Sequence, residues 1–141
     1  MRTFSNLKDL DNYIQTQISD CLTGECFDEI VKVEQEMIQQ EVYDVYNPRR
    51  YRRRYHNRGL IDENNISISE LKSNGNIVSM KVVNNTQRNG ALGDLDRIIE
   101  YGISKEEDAM PYAKPRPFTA STVDELIDRG TIEKLIKNRF K

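Results

Sequence analysis

The sequence predicts an α+β fold: helices packed on a small antiparallel β-sheet, with long extended loops. Three observations carry that expectation. Apolar residues recur three or four apart over residues 6–46, the spacing of amphipathic helix. Asn74-Gly75 stands between two alternating runs, 66–71 and 76–84, as in a β-hairpin. Pro111, Pro115 and Pro117 stiffen residues 110–118 into an extended segment ahead of a last helical periodicity.

The elements follow in order. Ser5 is placed to cap a first helix over residues 6–20, with Leu7, Leu10, Ile14, Ile18 and Cys21 on one face and Lys8, Asp11, Gln15 and Asp20 on the other. Thr23 and Gly24 are expected to break it. Phe27, Ile30, Val31, Met37, Ile38, Val42 and Val45 trace a longer helix over 26–46, whose apolar stripe should rest on the sheet. Met37 in that stripe reads as core filler. Pro48 should end the helix, because it lacks an N–H and pushes Asn47 out of α geometry.

The alternation of Arg50, Tyr51 and Arg52, then Arg54 and Tyr55, reads as an extended arm with tyrosines on one side. Gly59 allows a positive φ and a sharp exit, and Asp62, Asn64 and Asn65 suit a turn. Ile66 and Ile68 begin a strand with Ser67 and Ser69 opposite. Asn74-Gly75 predicts a primed hairpin turn with two positive φ values. In the returning strand either Val78, Met80 and Val82 or the alternate set faces the core. Residues 84–93 read as loop, and Leu95, Ile98 and Ile99 as two helical turns stopped by Gly102. Residues 103–109 are charged and expected to be exposed. Ser121 or Thr122 should cap the last helix, whose apolar face is Val123, Leu126, Ile127, Ile132, Leu135 and Ile136, with a kink or break at Gly130. No repeat or low-complexity tract divides the chain. Residues 1–141 are therefore taken as one domain: a helical pair (6–46), a basic arm (47–65), a hairpin and short helix (66–102), an extended loop (103–118) and a C-terminal helix (119–141).

At 141 residues the chain is long enough to bury a core. No apolar run approaches the ~20 residues that span a membrane, and the N-terminal stretch has no apolar region of the secretory kind. The chain is expected to stay where it is made, a cytoplasm, with no membrane partner. Cys21 and Cys26 make no disulfide framework, and as metal ligands they would have only His56 as a third soft donor. They read as reduced thiols beside a helix–helix turn. Glu106-Glu107-Asp108 reads as a solvated run rather than a divalent-ion site. His56 is the sole histidine, set among arginines with no identifiable triad partner. Asn89-Gly90-Ala91-Leu92-Gly93 lacks the Lys-Ser/Thr of a phosphate loop. No catalytic residue, cofactor or metal is expected, and the chain is not read as an enzyme.

The strongest signal is charge. Arg49, Arg50, Arg52, Arg53, Arg54 and Arg58 stand with His56, Tyr51 and Tyr55 in a stretch that no acid interrupts. Taking these six arginines from 21 basic residues leaves 15 against 23 acids, a basic arm set on an acidic body. Arginine with tyrosine suits a protein interface, where both are enriched at hot spots. It also suits phosphate neutralisation with base stacking. The third reading is a solvated loop pairing with acids of its own chain.

The order Val42-Tyr43, Tyr46-x-Pro48, Tyr51-x-Arg53-Arg54, Gly59-Leu60-x-Asp62 and Asn65-Ile66 resembles small structural proteins of tailed phages of Gram-positive hosts. Ile99-Glu100-Tyr101-Gly102, followed by Arg116-Pro117-Phe118, is similar to the "EYG … RPF" ending of phage head–tail joining, or tail-completion, proteins. The resemblance covers about residues 26–141. Common members carry Pro-x-Asp-Thr-Gly-x-Leu before the first long strand, where this chain has Arg58-Gly59-Leu60. The resemblance implies helices on an antiparallel sheet and a cyclic ring of copies, hexamer or dodecamer, in the neck between portal and tail tube. The expected partners are further copies and neighbouring neck, portal or tail proteins, with DNA passing through the channel, in a virion assembled in the host cytoplasm. The expected partner-interface residues are Arg49, Arg50, Tyr51, Arg52, Arg53, Arg54, Tyr55 and Arg58, with Glu100, Tyr101, Arg116 and Phe118. The arm should dock on an acidic surface of a neighbouring subunit, anchored by Tyr51 and Tyr55, and charge reversal of Arg52, Arg53 and Arg54 should leave the monomer folded. The alternative is a small nucleic-acid-binding protein using the same arm.

Overall fold

A computed structural model describes residues 2–45, 53–87, 99–101 and 115–141. The fold is α+β, helices with a two-stranded antiparallel sheet. Helix α1 (Leu7–Cys21), a π turn (Leu22–Cys26), helix α2 (Phe27–Ile38) and a second π turn (Gln39–Tyr43) run on without interruption. Asn6, not Ser5, caps the start: its side chain accepts the Asp9 N–H at 2.8 Å, while the Ser5 hydroxyl bonds the Asp9 carboxylate.

The expected break at Thr23 and Gly24 is absent. The Thr23 hydroxyl bonds back to the Ser19 carbonyl at 3.0 Å, and the chain passes through the π turn with helical φ and ψ on either side. Burial of the two thiols accounts for the wider turn. Residues five apart on a regular α-helix diverge by roughly 140°, so one cysteine would point to water. The extra residue of the π turn brings both inward, fully buried, with the sulfurs 3.5 Å apart.

The stripe of the second helical half is buried, but not by the sheet. Val33, Met37, Ile38, Val42 and Tyr43 pack with Leu60, Ile61, Ile99 and Phe118, and Leu126 closes the cluster. Phe27, Ile30 and Val31 are only half-buried, and Val45 is exposed. Helical periodicity tells which face is covered and is silent on what covers it. The helix itself ends at Tyr43, short of the expected residue 46.

Strands β1 (Ile66–Asn74) and β2 (Ile77–Asn84) form the hairpin, in register from Ile66 opposite Asn84 to Asn74 opposite Ile77, with a bulge at Ser69. The loop is Gly75-Asn76, one residue later than expected. Only Gly75 has a positive φ, 60°, the pattern of a II′ turn rather than the two positive values foreseen. Val78, Met80 and Val82 take the half-buried face. β2 lies against α1. Gln15, on the polar side of the α1 pattern, fastens the hairpin tip: its amide donates to the Gly75 carbonyl at 2.7 Å and its oxygen accepts from Ser73 at 2.6 Å.

Helices α3 (Phe118–Arg129) and α4 (Thr131–Asn138) complete the described chain. They part at Gly130, where the sequence predicts a kink or break; its φ of 61° is left-handed. The start differs. Neither Ser121 nor Thr122 is a cap; Thr122 is buried one turn into the helix, its hydroxyl on the Phe118 carbonyl at 2.7 Å. α3 packs on α2, braced by Arg129, which bonds Glu36 at 2.6 Å and Glu125 at 2.8 Å. Leu126 turns inward while Val123 and Ile127 are exposed, so the expected apolar face of this helix is split. α4 lies along the first π turn, where Arg139 approaches Glu25 at 3.7 Å. The expectations for Pro48, Leu95, Ile98, Gly102, residues 103–109 and Pro111 lie outside the described residues.

Candidate functional site

The described part of the basic arm is a tight turn, not an extended segment. Asn57 N–H bonds the Arg54 carbonyl at 2.9 Å and Gly59 N–H bonds that of Tyr55 at 3.0 Å. Tyr55 and Arg58 hold φ values of 49° and 62°, left-handed geometry that side chains other than glycine rarely adopt. Gly59 is required here by close approach: a Cβ would meet the Tyr55 carbonyl oxygen at 2.3 Å.

The surroundings pin this turn. Asp62 is buried, and its carboxylate accepts the Arg58 N–H at 2.8 Å and the Asn64 N–H at 3.0 Å. These hydrogen bonds, that of Asn64 first, hold its pKa below the usual carboxylate range. The Gly59 carbonyl accepts from the Asn65 side chain at 2.9 Å and the Thr86 hydroxyl at 3.4 Å. Asn84, at the base of the hairpin, joins the Leu60 carbonyl at 3.0 Å to the Glu34 carboxylate at 3.2 Å. The turn is thus built into both α2 and the sheet. Beside it lies a polar groove of about 700 Å³, lined by Arg54, His56 and Arg58 together with Asn64, Asn85 and Gln87.

The arginines divide. Arg53 faces inward: its guanidinium donates to the carbonyls of Tyr43 at 2.9 Å and Val42 at 3.4 Å and stacks 4.8 Å from the Tyr43 ring. It satisfies carbonyls that the end of the long helix leaves open. Arg54 reaches the Gln87 carbonyl at 2.6 Å. The Tyr55 ring meets Tyr43 edge-on at 5.0 Å, and the Tyr43 hydroxyl accepts the Ile61 N–H at 3.3 Å. Burial raises the Tyr43 pKa, so this phenol stays protonated. His56 and Arg58 are exposed. Arg49, Arg50, Tyr51 and Arg52 lie outside the described residues.

A second feature unites two distant stretches. The Glu100 carboxylate accepts the N–H groups of Thr119 at 2.7 Å and Ala120 at 3.0 Å, supplying from afar the cap that α3 lacks locally. Arg116 N–H bonds the Ile99 carbonyl at 2.9 Å. Ile99 and Phe118 enter the core together. Glu100 and Phe118, expected at a partner interface, are buried in this chain, because one caps α3 and the other anchors it. Arg116 is half-buried, and Tyr101 is exposed. Reading by sequence missed Asp62, Asn84 and Thr86 as the belt that holds the turn; the Asp62-x-Asn64 spacing was its one local trace.

Burial, with Cys21 alongside, pushes the Cys26 thiol up to about 12, so it stays protonated near neutral pH and is a poor nucleophile. The exposed groups are cationic, aromatic and amide side chains on a rigid turn, suited to holding an anionic or apolar surface. The sequence model of one family, YomN, matches residues 6–141. No curated protein and no solved structure matches the chain.

Proposed function

The chain belongs to the YomN family, a phage-derived family, and on that footing we propose that it is a non-enzymatic structural protein of the virion. It acts as a ring-forming adaptor in the neck that completes the tail and joins it to the head. The observation that carries this reading is the joint between residues 99–101 and 115–118. These stretches, on which the likeness to head–tail joining proteins rests, meet through Glu100, Thr119 and Ala120 and are locked into the core by Ile99 and Phe118. The motif thus places α3 on the core, a structural task in keeping with this reading.

The surface agrees. Leu7, Val45, Ile77, Tyr101 and Ile127 are exposed. Assembly into a ring would give such side chains neighbours to pack against. The partners are further copies in a hexameric or dodecameric ring and the portal, neck or tail proteins above and below it, with DNA in the channel. Among the described residues no helix is long and apolar enough to cross a membrane.

Quantitative mass spectrometry of phage particles freed of lysate tests this. The expected result is a fixed complement of six or twelve copies per virion. A chain absent from particles, and bound instead to intracellular DNA, would defeat the adaptor reading in favour of a nucleic-acid-binding role.

A further inference from the structure

Two surfaces of the chain complement one another. The first is the outward side of α3, where Val123, Asp124, Ile127 and Asp128 fall on one face and all are exposed. Val123 and Ile127, 50% and 71% exposed, make an apolar line one helical turn apart, bordered by two acids. The core does not use this face; Leu126 fills that role from the other side. The second surface is the pinned turn, which offers Tyr55, 47% exposed, with the cationic Arg58 and the imidazole of His56 exposed in the same turn. Tyr55 and Arg58 are held in left-handed geometry by hydrogen bonds on both flanks, so this surface is preorganised.

We propose that the turn of one copy docks on the outward face of α3 of the next copy. Tyr55 covers Val123 and Ile127, and Arg58 pairs with Asp124 and Asp128. Charge selects this occupant. The chain carries a net charge of only −2, so whole copies repel weakly, while these two patches have opposite sign. Arginine and tyrosine on one side, with an apolar line and an acidic border on the other, is the composition of a hot spot and its pocket. The two surfaces differ, so the contact is head-to-tail and repeats around an axis, closing into a ring where the rotation allows. The inference rests on the ring-adaptor reading and supplies the contact between neighbouring copies.

The test uses the full chain and two variants, each checked by thermal unfolding. One variant carries Asp124→Lys and Asp128→Lys on the α3 face. The other carries Tyr55→Asn and Arg58→Asn on the turn; asparagine tolerates left-handed φ, so the backbone stays at ease, and Arg58→Asn alone serves if the pair unfolds. Sedimentation velocity should show the wild type associating, more weakly at high salt. Each variant should raise the association midpoint by about tenfold or more, as loss of hot-spot contacts does. Mixed together, the two variants should form a 1:1 dimer that grows no further, because only one intact turn meets one intact face. Wild-type rings that survive both variants overturn this contact and leave the adaptor reading standing. A wild type that stays monomeric yet binds a DNA oligonucleotide through Arg58 overturns the contact and speaks against the adaptor as well.

Discussion

Glu100 caps a helix that begins eighteen residues later, at Phe118, its carboxylate on the Thr119 N–H at 2.7 Å and on that of Ala120 at 3.0 Å. The first turn of α3 has no side-chain cap of its own. A carboxylate at this end also meets the positive pole of the helix dipole. Replacing it should loosen the link between residues 99–101 and α3. Glu100→Ala is expected to cost about 1–3 kcal/mol, the range for a charge-assisted hydrogen bond lost at a helix start. Glu100→Gln should cost less, since it keeps one acceptor. Urea unfolding of the two variants measures both; equal stability to wild type would show that another group caps α3.

The packing of α2 on α3 makes a second prediction. Ile38 is fully buried in the cluster that holds Phe118. Ile38→Ala should cost about 2–5 kcal/mol, as buried aliphatic truncations do. In a double-mutant cycle, Ile38→Ala and Phe118→Leu should couple by roughly 0.5 kcal/mol or more, while Ile38→Ala and Met80→Ala should add independently. Coupling to Met80 instead would place the stripe on the hairpin.

What could be read in advance follows from how local each cause is. The hairpin was legible because Asn74-Gly75 and the alternation around it act within a few residues. Gly130 was legible for the same reason, since a left-handed residue ends a helix whatever surrounds it. The π turn at Leu22–Cys26 was not, because Thr23 and Gly24 carry breaker propensities that burial of Cys21 and Cys26 overrides; the five-residue spacing of the cysteines was its trace. The start of α3 was hidden because its cap comes from Glu100. In the candidate interface, residue types singled out a stretch without telling which of its arginines face out. That depends on where the carbonyls of Val42 and Tyr43 lie, which no window of sequence contains.

Arg53 illustrates the consequence. A charge reversal spanning Arg53 was expected to spare the fold, yet its guanidinium closes the end of the long helix and stacks on Tyr43. Arg53→Glu would set a carboxylate against two carbonyls. It should destabilise by about 2–4 kcal/mol, the size for breaking a part-buried charged hydrogen-bond set. Arg58→Glu, on the exposed side of the turn, should stay within about 1 kcal/mol of wild type. Chemical denaturation separates the two; similar costs would mean that both arginines serve the fold.

Acid should loosen the pinned turn. The Asp62 pKa is lowered in the folded chain from an ordinary value of 3.8, first by the Asn64 N–H and then by that of Arg58. A depressed carboxylate stabilises fully above its unfolded pKa, and that contribution disappears as pH falls through the folded value. Stability should therefore be level in this respect above about pH 5 and fall below pH 4. Asp62→Asn should be less stable at neutral pH and show a shallower loss in acid. Unfolding midpoints across that range check the slope, and an unchanged slope in the variant would remove Asp62 as the group responsible.

The most direct test of the adaptor role is electron microscopy of lysates from a phage in which an early stop codon silences this chain. The account predicts DNA-filled heads and separate tails in place of virions, with joining restored when the wild-type chain is supplied in trans. Intact, infectious particles assembled without the chain would contradict it.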